Sequence, residues 1–199
     1  MEGGLDPSDE RLVSLTKDGN LDAFNSLVER YQAAVFTLCL RLLGERQAAE
    51  DAAQEAFISG YRAISQFHTG SIRAWLLRIA SNECKDELRR RTRRGAGASL
   101  DAMLESEDGP TEIPDPGEGI GELLERKELG AEIQRMLMAV PFDQRQAVVL
   151  CDLYGYRYEE VAEMTGASSG TVKSRIHRGR EKLRQLISAS PEQFSPGRR

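Results

Sequence analysis

The chain has 199 residues, 40% of them apolar and 30% charged, with a formal net charge of −5. That is room for one ordinary domain or two small ones, and too much apolar material for a disordered chain. The longest apolar runs, Met136–Val140 and Ala147–Cys151, have five residues. A membrane helix needs ~20, so no insertion into a bilayer is expected. The opening MEGGLDPSDE is acidic and polar, which argues against a secretory signal. Cys39, Cys84 and Cys151 are odd in number and far apart. They give neither a disulfide framework nor a zinc pair, and a reducing cytoplasm suits them.

No proline falls between Ser8 and Gly109, and apolar residues there recur at helical spacing. Phe24, Leu27, Val28, Tyr31, Val35, Leu38 and Leu42 predict one helix, with Asp22 near its start and Gly44 at its end. Ala53, Phe57, Gly60, Tyr61, Ile64 and Phe67 predict a second. Ile72, Trp75, Leu76, Ile79, Ala80 and Leu88 predict a third, with Ser71 as its N-cap. No stretch alternates with period two for long enough to argue a sheet. From Thr92 to Gly121 the texture changes to six glycines and three prolines. This reads as a flexible linker, with at most a short helix near Leu100–Leu104. Helical spacing resumes with Leu123, Leu124, Leu129, Ile133 and Leu137, breaks at Pro141, and restarts over Gln146–Leu153.

The fold class is therefore all-α, with two small helical domains joined by a flexible acidic linker. The boundaries read 1–19 for a tail and the start of the first helix, 20–93 for the first domain and 94–121 for the linker. The second domain is 122–187, and a tail covers 188–199.

The small net charge conceals a strong pattern. Between Ser99 and Glu132 eleven acids face only Arg126 and Lys127. From Lys85 to Arg94 six bases face Asp86 and Glu87, and from Thr171 to Arg184 six bases face Glu181 alone. Two basic stripes thus flank an acidic belt.

The second stripe lies in a recognisable setting. Tyr158 to Gly166 forms a short amphipathic helix, with small Ala162 allowing a close crossing and Gly166 suiting a turn. Ser168 or Ser169 can cap a helix over Thr171–Leu186, whose Val172, Ile176 and Leu183 share one face. Lys173, His177, Arg180 and Arg184 share another, with Ser174 and Arg178 beside it. This is a helix-turn-helix pattern: one side buries on its partner helix, and the other offers donors to phosphates and base edges.

The string Tyr158-Glu-Glu-Val-Ala … Gly170-Thr-Val-Lys-Ser-Arg-Ile-His-Arg-Gly-Arg-Glu-Lys-Leu183 closely resembles region 4 of bacterial sigma factors of the extracytoplasmic-function (ECF) group. Independently, Ala49-Glu-Asp-Ala-Ala-Gln-Glu-Ala-Phe57 resembles region 2.2. Arg73-Ala-Trp-Leu-Leu-Arg-Ile-Ala-Ser-Asn82, followed by Asp86-Glu-Leu-Arg-Arg-Arg91, is similar to regions 2.3 and 2.4. No region 1.1-like segment precedes these motifs and no region 3-like domain separates them, which is the ECF layout.

The resemblance implies a promoter-specificity subunit that binds core RNA polymerase, recognises -10 and -35 elements and promotes DNA melting in stress responses. Asp51, Gln54 and Glu55 would meet the β′ clamp helices, although composition alone also allows a plain solvated face. The β subunit and promoter DNA complete the assembly, in the cytoplasm and on the nucleoid. Many relatives are held inactive by an anti-sigma factor, so one is expected as a partner. Around the -10 element the resemblance implicates Phe67, Trp75, Asn82, Lys85, Arg89 and Arg90. A pocket containing Phe67 and Asn82 would hold a flipped base, worth ~1–3 kcal/mol in stacking. Phe67 and Trp75 read equally as core residues, and Asn82 as a surface amide. Lys173, Ser174, His177 and Arg178 match positions facing the -35 element, with Arg175 and Arg180 suited to phosphates.

Elements ~16–17 base pairs apart are separated by ~55–60 Å at ~3.4 Å per pair. A flexible 30-residue tether spans ~30 Å, and the domains cover the rest. The acidic belt reads either as a fit to an RNA-lined channel or as solubilising charge. No phosphate-cradling loop, HExxH or nucleophile elbow occurs, so no catalytic centre, cofactor or metal site is expected. The alternative is a stand-alone helix-turn-helix regulator binding palindromic DNA without polymerase, which leaves the Asp51/Gln54/Glu55 face unexplained. A response regulator would need an α/β receiver, and the first block shows no strands.

Overall fold

The computed structural model describes residues 7–94 and 120–189. Within them the protein is helical throughout, with no strand, and it divides into the two all-α domains the sequence predicts. The N-terminal domain holds α1 (Asp9–Lys17), α2 (Leu21–Leu43), α3 (Arg46–Ala63) and α4 (Ile72–Arg94). The C-terminal domain holds α5 (Ile120–Met138), α6 (Phe142–Val148), α7 (Tyr158–Thr165) and α8 (Ser169–Ala189). The linker and the short helix expected near Leu100–Leu104 lie outside the described residues.

Several helix ends have a clear chemical cause. The Asn20 side chain accepts from the Ala23 N–H at 3.0 Å and starts α2. Gly44 ends it at φ +81°, where its N–H reaches the Leu40 carbonyl at 2.8 Å. Ser71 caps α4 by accepting from the Ala74 N–H at 3.2 Å, as predicted. On α2 the expected stripe is buried at Phe24, Leu27, Val35, Leu38 and Leu42.

Several sequence expectations shift. Segment 9–17, read as part of a tail, is a complete helix capped by Ser8, with Leu12 and Val13 buried against α2. The Asp9 carboxylate fixes it, accepting from Arg30 at 2.5 Å and from the Tyr31 hydroxyl. Burial, with the bond to Asp9, pushes the Tyr31 phenol up to about 12. The core face of α3 is its alanines (Ala48, Ala49, Ala52, Ala53, Ala56), not Tyr61, which stays exposed beside the Phe24 ring. Small residues let α3 lie close against α2 and α4, and large side chains fall at the rim. On α5, Leu129 and Ile133 are exposed, while Met136 and Leu137 are buried. Helix α6 begins directly after Pro141 rather than at Gln146 and ends in a π-turn over Val149–Leu153.

Cys39 and Cys84 sit together in the core between α2 and α4. The hydrogen bond that Cys84 donates to Cys39, then burial, raises the Cys84 thiol, which packs as an inert core group.

The C-terminal domain turns on one close crossing. A methyl group on Gly179 of α8 would stand 2.6 Å from Val148 Cγ2 and 3.2 Å from the Gln144 carbonyl oxygen, both on α6. The close crossing is thus at Gly179, whereas Ala162 is only half-buried. Gly179→Ala should lower stability by ~1–3 kcal/mol, the usual cost of overpacking, read as a fall in the urea midpoint. Gly170→Ala meets nothing nearer than 3.9 Å and should be neutral or slightly stabilising. Equal effects of the two changes would contradict this packing.

Candidate polymerase and DNA interfaces

Three surfaces carry the residues singled out in the sequence. The first is the outer face of α3. Burial of its alanines against α2 and α4 forces Asp51, Gln54 and Glu55 into solvent on the opposite side. The Gln47 amide donates to Asp51 at 3.1 Å, and Glu50 is tied to Arg46 at 2.9 Å. The face is acidic and open, and the structure brings its three predicted members together on consecutive turns.

The second surface runs from the 67–71 loop along α4. Phe67 is 9% exposed, and its ring meets the Trp75 edge at 5.5 Å between centroids. Its carbonyl accepts from the Lys17 ammonium, which anchors the loop to α1. Phe67 and Trp75 are therefore packed on each other, and Asn82 is exposed one side of the helix further on. Arg89 pairs with Asp86 at 3.1 Å and Arg90 with Glu87 at 3.4 Å, both one turn away. Such exposed pairs are worth under ~1 kcal/mol and exchange readily for phosphate. Lys85 points elsewhere, to Asp143 at 3.4 Å.

The third surface is α8. The Ser168 hydroxyl accepts from the Thr171 N–H at 3.1 Å and starts the helix two residues before the predicted Thr171. Gly166, at φ +65°, closes α7 and turns the chain. Val172, Ile176 and Gly179 are buried on α6 and α7. Lys173, His177 and Arg178 are exposed with no hydrogen bond or ion pair among the described residues, as is Lys182. Ser174, half-buried, bonds to its own helix, donating to the Thr171 carbonyl at 2.8 Å.

The two arginines read as phosphate ligands are already held by acids of α6 and its π-turn. Arg175 reaches Asp143 at 2.7 Å. Arg180 binds Asp152 in a fork, at 3.0 and 2.5 Å. The Asp152 bond pushes the Arg180 guanidinium above its ordinary range. The predicted cationic face is thus split into free donors and paired ones. Asp143 and Asp152 escaped the sequence reading because nothing in helical spacing says which acid of one helix meets which base of another.

The comparisons with known proteins agree with this build. The family model described as Sigma-70 region 2 matches residues 27–94, and that described as Sigma-70, region 4 matches 130–183. Two helical domains carrying those regions define a sigma-70-type transcription initiation factor. The ECF RNA polymerase sigma factor SigE of Mycolicibacterium smegmatis is 36% identical over 190 residues, covering 92% of this chain and 71% of that protein. The ECF RNA polymerase sigma-E factor of Escherichia coli K12 is 37% identical over 181 residues, covering 88% and 92%. The sigma factor RpoE of Bartonella quintana, solved with the anti-sigma factor NepR, superposes with a TM-score of 0.64 at 25% identity, covering 83% and 96%. The chain belongs to the ECF sigma factors. The stand-alone regulator gains no support.

The Arg180–Asp152 fork gives a test. Asp152→Ala should free one cation for phosphate. DNA affinity should rise, and the slope of log K against log salt should steepen by ~0.9, measured by fluorescence anisotropy. An unchanged slope would mean that Arg180 does not reach the backbone.

Proposed function

We propose that this chain is a dissociable promoter-specificity subunit of RNA polymerase, without a catalytic centre of its own. One observation carries the reading most directly. The second helix of the helix-turn-helix presents Lys173, His177 and Arg178 to solvent, unpaired among the described residues, while its opposite face is locked to α6 and α7. Unpaired long donors on a rigid helix suit entry into a major groove, where Lys and Arg reach guanine O6 and N7. These residues, with Ser174, read the -35 element, and Arg175 and Arg180 are available for phosphates once released from their acids.

The exposed acids Asp51 and Glu55, with Gln54, dock on the β′ clamp helices. A line of like charge on a rigid helix fixes orientation more than affinity. Trp75, Asn82, Lys85, Arg89 and Arg90 of α4 follow the -10 element. Phe67 is packed on Trp75, so base capture by its ring requires the two rings to part. Gly70, at φ +102°, supplies the backbone freedom. A stacking contact of ~1–3 kcal/mol is of the size needed to offset local unpairing.

An anti-sigma factor is the second expected partner, since the similar Bartonella quintana protein is described as bound to one. No described helix is long and apolar enough to cross a membrane. The site of action is the cytoplasm, on the nucleoid while the chain is bound to polymerase.

Run-off transcription with core polymerase on a genomic promoter library tests the assignment. The chain should direct initiation from a defined promoter class, and core enzyme alone should not. Lys173→Ala and Arg178→Ala should each lower use of the upstream element by ~5–150-fold, the range of ~1–3 kcal/mol for a base contact, with core binding unchanged. No directed initiation by a folded chain would overturn the reading. Loss of core binding in those two variants would contradict the division of labour.

A further inference from the structure

Helix α4 outlasts the core it belongs to. Its last core residue is Cys84, yet it runs on to Arg94. In that overhang Leu88 is the only apolar side chain, and it is half-buried. Bases crowd there, with Arg89 and Arg93 one turn apart, so like charges repel along the helix. A basic end with so little packing frays unless something holds it. Arg91 is what holds it. Its Nε donates to Glu87 at 3.0 Å, and its Nη2 reaches Glu45, on the turn between α2 and α3, at 2.8 Å. Glu87 also accepts from Arg90 at 3.4 Å. The bonds form a chain, Glu45–Arg91–Glu87–Arg90, from the turn before α3 to a residue read as facing the -10 element.

Two observations set Arg91 apart from its neighbours. The first is the place of Glu45. It occupies the N-cap of α3, where Ser, Thr, Asp or Asn would accept from the helix's own N–H groups, but its side chain makes no cap bond. The carboxylate turns to Arg91 instead. The second is exposure. The Arg89 and Arg90 side chains are 63% and 44% exposed, each with an acid one turn away, and such pairs yield readily to phosphate. The Arg91 side chain is 30% exposed, and carboxylates from two elements take two of its nitrogens. A planar guanidinium held on two edges has a fixed orientation and little left to offer a phosphate.

We infer that Arg91 is a positioning residue for the -10 element: it makes no contact with DNA and, through Glu45 and Glu87, holds the overhang of α4 so that Arg89 and Arg90 meet the phosphates together. Its effect on DNA rests on the promoter reading above; the strut itself does not. A helix end that is in register for only part of the time lowers apparent affinity by that fraction. Arg91 belongs to a run of three arginines that sequence alone treats as equivalent, and the packing separates it from the other two.

The test uses the full-length chain on core polymerase and a promoter found by run-off transcription. The complex is titrated, over a series of salt concentrations, with a fork carrying the -10 element as single-stranded non-template DNA, and separately with a duplex carrying the upstream element. Arg91→Gln and Glu45→Gln should each weaken fork binding about 3–10-fold, as when the in-register fraction falls to about a tenth to a third, with salt slope and upstream-duplex affinity unchanged. Arg89→Gln, which removes a direct contact, should instead lower the slope by ~0.7–0.9. The double variant Arg91→Gln, Glu45→Gln should bind no more weakly than either single one, since both break the same bond. In the free chain, amide hydrogen exchange should quicken at residues 87–94 in both variants while α2 keeps its protection. Glu45→Gln decides the sign, because it would release an Arg91 that touched phosphate and so tighten the complex. Tighter fork binding by Glu45→Gln, or a slope lowered by Arg91→Gln as by Arg89→Gln, overturns the inference. Equal losses on fork and upstream duplex also overturn it, since they mark general destabilisation. If Arg91→Gln fails to fold, Glu45→Gln carries the test. Unchanged exchange at residues 87–94 overturns the strut. A folded wild type that binds no fork on core polymerase overturns the promoter reading, and the exchange result then upholds or sinks the strut by itself.

Discussion

The structure depends on how much is asked of one helix. Around α4, Ile72, Leu76, Leu77, Ala80 and Cys84 are buried in the core of the N-terminal domain. Arg73, Ser81 and Lys85 face the C-terminal domain. Asn82, Arg89 and Arg90 face solvent. A helix offers only some 3.6 positions per turn, so three surfaces leave little freedom for substitution. The first gives stability, the second couples the domains, and the third is the basic surface read here as facing DNA.

The same economy appears in the charges. A net charge of −5 is unfavourable for meeting a polyanion. Local placement resolves this. Among the cations of α8, Lys173, His177 and Arg178 have no partner among the described residues, whereas Arg175 and Arg180 are held by Asp143 and Asp152. Acids that hold these arginines must be displaced before a phosphate is met, which weakens binding through phosphates. The same loss falls on random DNA and on a specific site, and only the specific site has base contacts to offset it.

Much of this was legible in the sequence because it depends on local spacing. The helices α2, α4, α7 and α8, the caps at Ser71 and Ser168, and the exposure of Asp51, Gln54 and Glu55 follow from periodicity and short-range hydrogen bonding. Periodicity identifies a face without naming what covers it. Leu129 and Ile133 therefore read as core yet are exposed, and Tyr61 gives up its place to alanines. Gly179 carries no signal in helical spacing, and only the crossing with Val148 explains it. The domain seam was invisible for the same reason. Arg73 and Ser81 are separated from Tyr154 and Gln146 by scores of residues, and their pairing is a property of the packed chain alone.

The central claim is that two basic helical surfaces occupy separate stretches of duplex only when the chain is seated on polymerase. Footprinting of one promoter, by nuclease protection and permanganate reactivity of unpaired thymines, tests it most directly. Chain and core polymerase together should protect two patches separated by ~55–60 Å along the helix axis, at ~3.4 Å per pair, with reactive thymines at the downstream patch. The chain without polymerase should give neither. A single palindromic footprint by the chain alone, with no unpaired thymines, would contradict the account.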